Sequence, residues 1–477
     1  MKHYGLWING NWVDTENTMA VTNPATGEVI ATVAEGGIQQ AQDAIDAASR
    51  AFRAWSAMPA PDRARILRNV ADRIRARAQG LAEILTTEQG KPLREAKAEI
   101  LMSADYFEWN SEEAKRIYGE TIPASVPNKR LWAIRQPVGV VAAITPWNFP
   151  ASMIARKVSP ALAAGCTVVI KPAETTPLSA LEMGQIFEQA GMPSGVVNII
   201  AGPPEPIAEA FLTNPAVRKL SFTGSTEVGQ LLMRRAAQDL KKLSLELGGH
   251  APFIVMDDAD LELAVAGVVA SKFRNAGQTC ICANRLYVQH AIYEEFSQRL
   301  ARRVRDLKVG TGFDPSVDIG PMIDNSAVEK VERQVRDAVA RGGRVITGGQ
   351  RVVIPNAGSG WFYAPTLVAD ITHDALVAQE ETFGPLLGLW EYQTDEEVMQ
   401  WANDTPYGLA AYFYGRDLGR VVRMYESLQY GIIGVNDPVP TVVQAPFGGV
   451  KHSGFGREGG HQGLDDYLEW KFVSIGL

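Results

Sequence analysis

The chain has 477 residues, of which 46% are hydrophobic and 21% are charged. This length exceeds what one ordinary core accommodates, so we expect two domains and a small third element, with the composition of a soluble globular protein. A formal net charge of −8 provides no basic surface for a nucleic acid or an anionic membrane, and we predict that the protein binds neither.

The amino-terminal stretch MKHYGLWINGNWV contains no basic segment followed by an apolar run, so it predicts no secretory signal. No apolar stretch approaches the ~20 residues that a membrane-spanning helix needs. The three cysteines make no disulfide framework, and with six scattered histidines they offer no set of four zinc ligands. We therefore predict a reduced cytoplasmic protein without a metal site.

A hairpin is predicted near the start, because Asn9-Gly10 supplies both positive-φ residues of a tight turn between LWI and NWV. From about residue 138, short β-rich runs alternate with gaps that can hold a helix: VGVVAAIT, TVVIKP, VVNIIAG, KLSFTG and KLSLELGG. A second series follows: APFIVM, RLYVQ, LLGLWEY, LAAYFY and GIIGVN. Alternating strands and helices imply right-handed crossovers, so we predict an α/β fold with two doubly wound parallel-sheet domains.

Two segments fit neither sheet, namely residues 120–137 and the tail LEWKFVSIGL after Tyr467. Both are typical of isolated strands or a ribbon, which is marginally stable alone in water. We expect them to find partners in another subunit of a homo-oligomer, a dimer or a tetramer. The predicted division is a first domain (1–119 and 138–247), a second domain (248–446), and an oligomerisation ribbon with a tail (120–137 and 447–477).

Ligands of an open parallel sheet bind beyond the carboxyl ends of its strands, and polar residues follow several of the predicted strands. Asn148 in TPWNFP either caps its loop or donates hydrogen bonds to a ligand. Lys171 and Glu174 in IKPAE form either a surface ion pair or a ligand site. The Gly224-Ser225 turn enters a helix whose N-terminus suits a pyrophosphate.

Glu246 ends the apolar run KLSLELGG, where burial of a carboxyl group would raise its pKa toward the range of a general base. The stretch NAGQTCICANR then places Cys280 and Cys282 two residues apart. Since a disulfide framework and a zinc clip are excluded, Cys280 is either a core residue or a nucleophile.

Taken together, seven motifs resemble those of the NAD(P)-dependent aldehyde dehydrogenase superfamily, in its order and spacing: TPWNFP, IKPAE, FTGSTEVG, LELGG, NAGQTC, EETFGP and PFGGVKHSGFGRE. The resemblance covers essentially the whole chain. It implies that the first domain binds NAD and the second is catalytic, and that the reaction oxidises a small aldehyde.

The resemblance identifies Cys280 as the catalytic nucleophile, which forms a thiohemiacetal and, after hydride transfer, a thioester. It assigns the oxyanion donors to the Asn148 side chain and the Cys280 backbone N–H. Glu246 matches the glutamate that activates water for thioester hydrolysis. Because this glutamate is typically absent from the acylating members, its presence implies a free carboxylic acid as product.

For the cofactor, the resemblance places Lys171 and Glu174 at the adenosine ribose, Ser225 near the pyrophosphate and Glu381 at the nicotinamide ribose. It adds three further cofactor-binding residues: Trp147, Gly224 and Phe383. A carboxylate at Glu174 accepts from a 2′-hydroxyl and repels a 2′-phosphate. We therefore expect NAD to be preferred, with NADP as the alternative.

Two arginines lie close in sequence to the predicted catalytic residues: Arg156 follows the Asn148 turn, and Arg274 lies six residues before Cys280. Each alone could be a surface residue, but both match arginines that bind the remote carboxylate in family members acting on succinate semialdehyde. A planar guanidinium can bond both carboxylate oxygens. The expected substrate is succinate semialdehyde, with 2-oxoglutarate and glutarate semialdehyde as the alternatives.

Three alternatives stay open. Cys282 is either a small residue packed beneath the loop or the partner of Cys280 in a reversible disulfide, a pair that some family members carry. The chain could also be a catalytically silent structural relative, or an esterase that uses Cys280 without NAD. The presence of Cys280, Glu246 and Asn148 together argues against a silent relative, and an esterase would show turnover without NAD.

Overall fold

The computed structural model describes residues 2–355 and 357–477. Within this part of the chain the α-helices, numbered α1 to α14, are Ile38–Ala57, Ala60–Ala76, Ala78–Gln89, Leu93–Glu113, Ser152–Ala164, Leu178–Gln189, Pro204–Thr213, Thr226–Ala236, Leu261–Phe273, Tyr293–Arg305, Asn325–Ala340, Leu376–Gln379, Asp395–Asn403 and Leu418–Ser427. The strands, numbered β1 to β21, are Lys2–Tyr4, Leu6–Ile8, Asn11–Val13, Thr18–Thr22, Val29–Ala34, Glu120–Ile122, Lys129–Pro137, Val140–Ile144, Thr167–Lys171, Val197–Ile199, Val217–Thr223, Lys242–Glu246, Ala251–Val255, Ala283–Gln289, Arg344–Thr347, Thr366–Ala369, Leu386–Tyr392, Ala410–Tyr414, Ile432–Val435, Gly454–Phe455 and Leu468–Gly476.

The first large sheet has eight strands in the order β20-β12-β11-β8-β9-β10-β2-β3. Its five central strands, β8 to β12, are parallel and correspond to the five runs predicted between residues 138 and 249. The predicted hairpin is β2 and β3, with Asn9 at φ 53° and Gly10 at φ 76° in its turn. Helices α1, α5 and α6 pack on β9 and β10, so this sheet carries its own hydrophobic core.

The second large sheet has seven strands in the order β15-β16-β17-β14-β13-β18-β19, all parallel except β15. Five of these strands match the second predicted series, and a separate apolar core surrounds them. The edge strand β15 and its neighbour β16 are only four residues long, too short to show a periodic pattern in the sequence. The predicted α/β fold with two parallel sheets is confirmed.

A smaller sheet, in the order β21-β7-β6, contains both segments that fit neither large sheet. The expectation that these segments find their strand partners in another subunit is wrong for β7 and β21. These two strands pair with each other along their whole length, because the end of the chain returns beside residues 129–137. Trp470 and Phe472 are exposed on one face of this sheet, and Trp132 and Ile134 are exposed on the other.

The carboxyl ends of the first sheet position the candidate site. Ile144 at the end of β8 pairs with Lys171 at the end of β9, and Thr223 at the end of β11 pairs with Glu246 at the end of β12. The polar segments that follow these strands therefore leave the sheet at one edge, as open parallel sheets require of a binding site. Residues 247–250 connect this edge directly to the second sheet at β13.

Candidate active site

Two cavities meet at Cys280, which lines both. The first, which we call the arginine cavity, has a volume of about 130 Å³ and is lined by Arg156, Arg274, Phe149, Glu95, Tyr106, Thr441 and Phe447 among others. The second, the strand-end cavity, has a volume of about 280 Å³ and is lined by Trp147, Asn148, Gly224, Ser225, Glu381 and Phe383 among others. The fold thus gathers eight other predicted site residues around the Cys280 thiol.

Cys280 lies in the loop between α9 and β14, and the loop has a strained backbone. Asn275 at φ 51° and Ala276 at φ 55° both adopt the left-handed conformation, and Gly277 follows at φ 72°. A Cβ on Gly277 would come within 2.2 Å of the Gly384 carbonyl oxygen, so only glycine fits. Such residues cost free energy and persist where the surroundings fix them, as at active sites.

The Cys280 thiol is half-buried, and burial raises its pKa to about 12. Arg156 opposes this rise, whereas Glu381 and Glu246 add to it. The thiol is therefore protonated at neutral pH in this state, and Arg156 is the cation that favours the nucleophilic thiolate. Gly249 allows the close approach of this loop, since a Cβ there would lie 2.4 Å from the Cys280 carbonyl oxygen.

Asn148 is buried and held at both its side chain and its backbone. Its Nδ2 donates to the Gln278 carbonyl at 3.0 Å. Its own carbonyl accepts from Lys91 Nζ at 2.7 Å and from Asn275 Nδ2 at 2.9 Å, and Lys91 also donates to Glu99 at 2.6 Å. The second amide hydrogen of Asn148 is thereby left available to an oxygen in the strand-end cavity.

Glu246 is a buried carboxyl group whose two oxygens lack hydrogen-bond partners within the described residues. Burial raises its pKa well above the usual range, and the nearby Glu458 raises it further. Burial also acts on Glu458, but Lys157 Nζ at 2.5 Å and Arg156 Nε at 2.9 Å bring the pKa of Glu458 below its usual value. Glu458 is thus held in its ionised form, whereas Glu246 readily takes up a proton.

The two predicted substrate arginines have different surroundings. Arg156 on α5 is buried, with its guanidinium 3.7 Å from the centre of the Phe447 ring and ion-paired to Glu458. Its Nη2 has no hydrogen-bond partner in the described chain. Arg274 is half-buried, 5.1 Å from the centre of the Phe149 ring, and forms neither an ion pair nor a hydrogen bond with any described residue. Arg274 is therefore the cation of this cavity that is free to bind an anion.

Lys171 and Glu174 form an ion pair at the end of β9, outside the lining of the strand-end cavity. Lys171 is buried, and burial lowers its pKa, while Glu174 is half-exposed. Ser225 caps the N-terminus of α8, where its Oγ accepts from the Val228 N–H at 3.3 Å. The same edge of the sheet therefore offers a carboxylate after β9 and a helix N-terminus after β11.

Glu381, Trp147 and Phe383 complete the strand-end cavity. Glu381 accepts from the Gly249 N–H at 2.9 Å, and burial raises the pKa of Glu381 to about 7. A Cβ on Gly248 would lie 2.9 Å from the second Glu381 oxygen, so glycine leaves this carboxylate room for a ligand. Trp147 meets Phe383 edge to face at 5.4 Å. Carboxylates for ribose hydroxyls and a helix N-terminus for phosphates fit a dinucleotide.

Cys282 is buried beneath the nucleophile loop. Its Sγ donates to the Gly277 carbonyl at 3.2 Å and accepts from Lys272 Nζ at 3.7 Å. Cys282 is a free thiol, as is Cys280, so no disulfide joins the two. In this state Cys282 packs as a small polarisable residue.

The sequence interpretation missed the contribution of α4. Five of its residues line the arginine cavity: Glu95, Ala98, Glu99, Met102 and Tyr106. Their three- and four-residue spacing, with two acids inside an apolar stripe, was the available signal. Thr441, whose hydroxyl has no partner among the described residues, comes from an irregular loop without any periodic signal.

Within the described residues no group of three or more His, Cys, Asp or Glu side chains is arranged to hold a metal ion. In the same part of the chain no helix is both long enough and apolar enough to cross a membrane.

A family profile described as the aldehyde dehydrogenase family matches residues 12–473. The chain belongs to this family of oxidoreductases, as its motifs predicted.

Individual relatives match over nearly their whole length. The chain is 53% identical to a protein of Escherichia coli (strain K12) named succinate-semialdehyde dehydrogenase (NADP(+)), over 98% of this chain and 97% of that one. It is 51% identical to a glutarate-semialdehyde dehydrogenase of Pseudomonas putida (strain KT2440), over 99% and 97%. A solved structure of an E. coli NADP-dependent enzyme superimposes with a TM-score of 0.98 at 52% identity, covering 100% of this chain and 98% of that one.

Proposed function

We propose that this protein oxidises a short aldehyde with a carboxylate at its far end, in the first place succinate semialdehyde, to the dicarboxylic acid. The observation that carries the proposal is that Arg156 and Arg274 line one small cavity together with Cys280. Two cations beside a nucleophile suit a substrate with an aldehyde at one end and an anion at the other. A relative at 53% identity is named for the same substrate, which supports the choice.

The first half of the reaction acylates Cys280. The Cys280 thiol releases its proton to solvent water, the thiolate sulfur forms a bond to the aldehyde carbon, and the carbonyl oxygen becomes an oxyanion as the C=O π bond breaks. The second amide hydrogen of Asn148 and the Cys280 backbone N–H, which is unbonded in the described chain, donate to that oxygen. Loss of one such donor typically costs about 3 kcal/mol. The dinucleotide, when bound in the strand-end cavity, supplies the acceptor for the hydride.

The second half releases the acid. Ionised Glu246 takes a proton from a water molecule, the resulting hydroxide attacks the thioester carbon, and the Cys280 sulfur leaves. The raised pKa of Glu246 makes it a stronger base than an exposed carboxylate. Glu458 cannot replace it, because Lys157 and Arg156 hold that carboxylate in ion pairs.

Two other semialdehydes are candidates for the same cavity. Glutarate semialdehyde is one methylene longer, and such a difference typically changes specificity by only about 1–3 kcal/mol. A relative at 51% identity is named for it, which makes it the second choice. 2-Oxoglutarate semialdehyde also carries the remote carboxylate. A silent relative is disfavoured, because nucleophile, oxyanion donor and base are all present together, whereas an NAD-independent esterase is tested by turnover without the dinucleotide.

The test compares kcat/KM for the three semialdehydes and for uncharged butanal. Arg274→Ala is the sharper variant, since Arg274 forms no ion pair or hydrogen bond with a described residue that its loss would break, whereas Arg156 is paired with Glu458. Because a charge-assisted bond is worth about 1.5–3 kcal/mol, we expect a loss of roughly 10-fold to 150-fold for semialdehydes and little change for butanal. Arg156→Ala should also weaken semialdehydes, whereas Arg65→Ala, which removes an exposed arginine on α2, is the matched control.

The proposal fails if the unmodified enzyme oxidises butanal as efficiently as the semialdehydes. It also fails if both cavity variants keep full semialdehyde activity. Turnover of an ester without dinucleotide, with no oxidation of any aldehyde, would support the esterase alternative instead.

For the cofactor we propose NAD as the preferred dinucleotide, with NADP as the alternative. The support is Glu174, a half-exposed carboxylate at the end of β9 that would repel a 2′-phosphate. The E. coli relative is named for NADP(+), which argues in the other direction. Glu174 is therefore the residue on which the choice is to be tested.

We further propose a homo-oligomer, a dimer or a tetramer, built through the β21-β7-β6 sheet. Exposed aromatic residues on both faces of this sheet support the proposal, with Trp470 and Phe472 on one face and Trp132 on the other. We also propose that the chain divides near residue 248 into an NAD-binding domain and a catalytic domain. The support is that β12, before this residue, and β13, after it, belong to different sheets. We also propose a cytoplasmic location, which the free thiols support.

For Cys282 the contacts with Gly277 and Lys272 support a packing role. Reversible pairing with Cys280 is the alternative prediction. Mild oxidation with diamide followed by peptide mapping distinguishes the two, since only the second gives a Cys280–Cys282 disulfide that dithiothreitol reverses together with lost activity.

A further inference from the structure

Helix α4 brings two acids to the arginine cavity, although the proposed substrate is itself an anion. Both carboxylate oxygens of Glu99 have hydrogen-bond partners. One oxygen accepts from Lys91 Nζ at 2.6 Å, and the other accepts from the N–H groups of Ala151 and Ser152 at 3.0 and 3.2 Å. Its charge is thus neutralised by a buried lysine and a helix N-terminus. Glu95 has no such partner and requires a separate explanation.

Glu95 is half-buried and touches the loop that carries the nucleophile. Its Oε2 accepts from the backbone N–H of Asn275 at 2.9 Å, the residue directly after Arg274 and the first of the left-handed pair. Its Oε1 has no hydrogen-bond partner in the described chain, and no lysine or arginine there lies within the 4 Å of an ion pair. Burial raises the pKa of Glu95, while Lys91 and Arg274 oppose that rise.

We propose that Glu95 is a specificity-determining residue that limits the affinity of the arginine cavity for a distal carboxylate. This inference rests on the proposed function. The Glu95 carboxylate and the substrate carboxylate lie in one cavity and compete for the same free cation, Arg274, so each disfavours the other. The enzyme thereby binds its dicarboxylate product weakly enough to release it. The hydrogen bond to Asn275 is a second, separable role, which supports the backbone beside Arg274.

Two substitutions separate the charge from the hydrogen bond. Glu95→Gln keeps a carbonyl oxygen that can accept from the Asn275 N–H and removes the negative charge. Glu95→Ala removes both. Glu112→Gln is the matched control, because it removes an exposed carboxylate from the same helix, paired only with Lys115 and about 25 Å further along its axis.

The readouts are KM for succinate semialdehyde, inhibition of butanal oxidation by succinate, and kcat for butanal. We expect Glu95→Gln to lower both the KM for succinate semialdehyde and the inhibition constant of succinate about five- to tenfold, whereas the control Glu112→Gln should leave both constants and kcat for butanal unchanged within twofold. Glu95→Ala should also reduce kcat for butanal, since the nucleophile loop loses its support. A merely structural role would change kcat for both substrates and would not strengthen succinate binding.

Arg274→Ala, measured in parallel, distinguishes a failure of the inference about Glu95 from a failure of the proposed function. If it weakens succinate inhibition while Glu95→Gln leaves that inhibition constant unchanged within twofold, the inference about Glu95 is overturned and the proposed function stands. If Arg274→Ala itself leaves succinate inhibition unchanged, the carboxylate-binding function fails and the inference fails with it.

Discussion

Replacing Glu246 by glutamine should separate the two halves of the proposed reaction. Neither carboxylate oxygen of Glu246 has a hydrogen-bond partner among the described residues, so a side chain of nearly the same shape can replace it without breaking a contact. Attack by Cys280 and hydride transfer precede the step that needs the base. We therefore expect the first turnover to proceed and the thioester to accumulate.

The size of the effect follows from the surroundings of the base. General-base catalysis typically contributes about 10²–10⁴-fold, and no neighbour can restore it: Glu458 is held by Lys157 at 2.5 Å and by Arg156 at 2.9 Å. We expect kcat to fall by about 10²–10⁴-fold, while the burst of reduced dinucleotide approaches one equivalent per site.

Rapid mixing with absorbance detection measures the burst, and mass spectrometry of the acid-quenched protein detects the acyl group on Cys280. A loss of steady-state turnover without any burst would place Glu246 before hydride transfer and refute this reasoning. Glu112→Gln, at the C-terminal end of α4 and away from the site, should behave like the unmodified enzyme.

The same substitution has a predicted effect on stability. Because burial raises the pKa of Glu246, the folded protein binds a proton at this site more tightly than the unfolded chain does. Its contribution to the free energy of unfolding is therefore lost as pH rises from the ordinary carboxyl range through the raised pKa. Glu246→Gln should remove this dependence and be relatively more stable at the alkaline end. Identical pH–stability curves for the two proteins would contradict the assigned burial.

Three further predictions concern separate parts of the molecule. Cys280→Ala should abolish aldehyde oxidation but leave dinucleotide binding within about threefold by calorimetry, because the thiol is needed for the chemistry only. Glu174→Ser should raise the ratio of NADP to NAD efficiency roughly fivefold, a modest change since Glu174 is half-exposed and screened; an unchanged ratio would remove Glu174 as the determinant. Trp470→Glu combined with Phe472→Glu should lower the particle mass in light scattering, and an unchanged mass would exclude that face from the interface.

The sequence predicted most of the sheet structure because the buried parallel strands are long apolar runs. The hairpin was predicted from Asn9-Gly10 alone, since few other pairs adopt two positive φ angles. The three-stranded sheet β1-β5-β4 and the strands β15 and β16 were missed, because they are short or half-exposed and their patterns are weak. Pairing of β7 with β21 depends on where the end of the chain returns, which no local pattern records.

The motifs also indicated which residue types would surround Cys280, but not their states of charge. Arg156 and Arg274 look alike in the sequence, because each is a single arginine near a predicted catalytic residue: Arg156 follows Asn148, and Arg274 precedes Cys280. In the structure Arg156 is ion-paired to Glu458 and helps to set the pKa of Glu246, whereas Arg274 has no such partner among the described residues. The difference arises because the C-terminal segment that contains Glu458 folds back against α5, bringing a carboxylate to one arginine only. Substrate binding and base strength therefore share one buried charge network, and a change at Arg156 should disturb both, while a change at Arg274 should disturb binding alone.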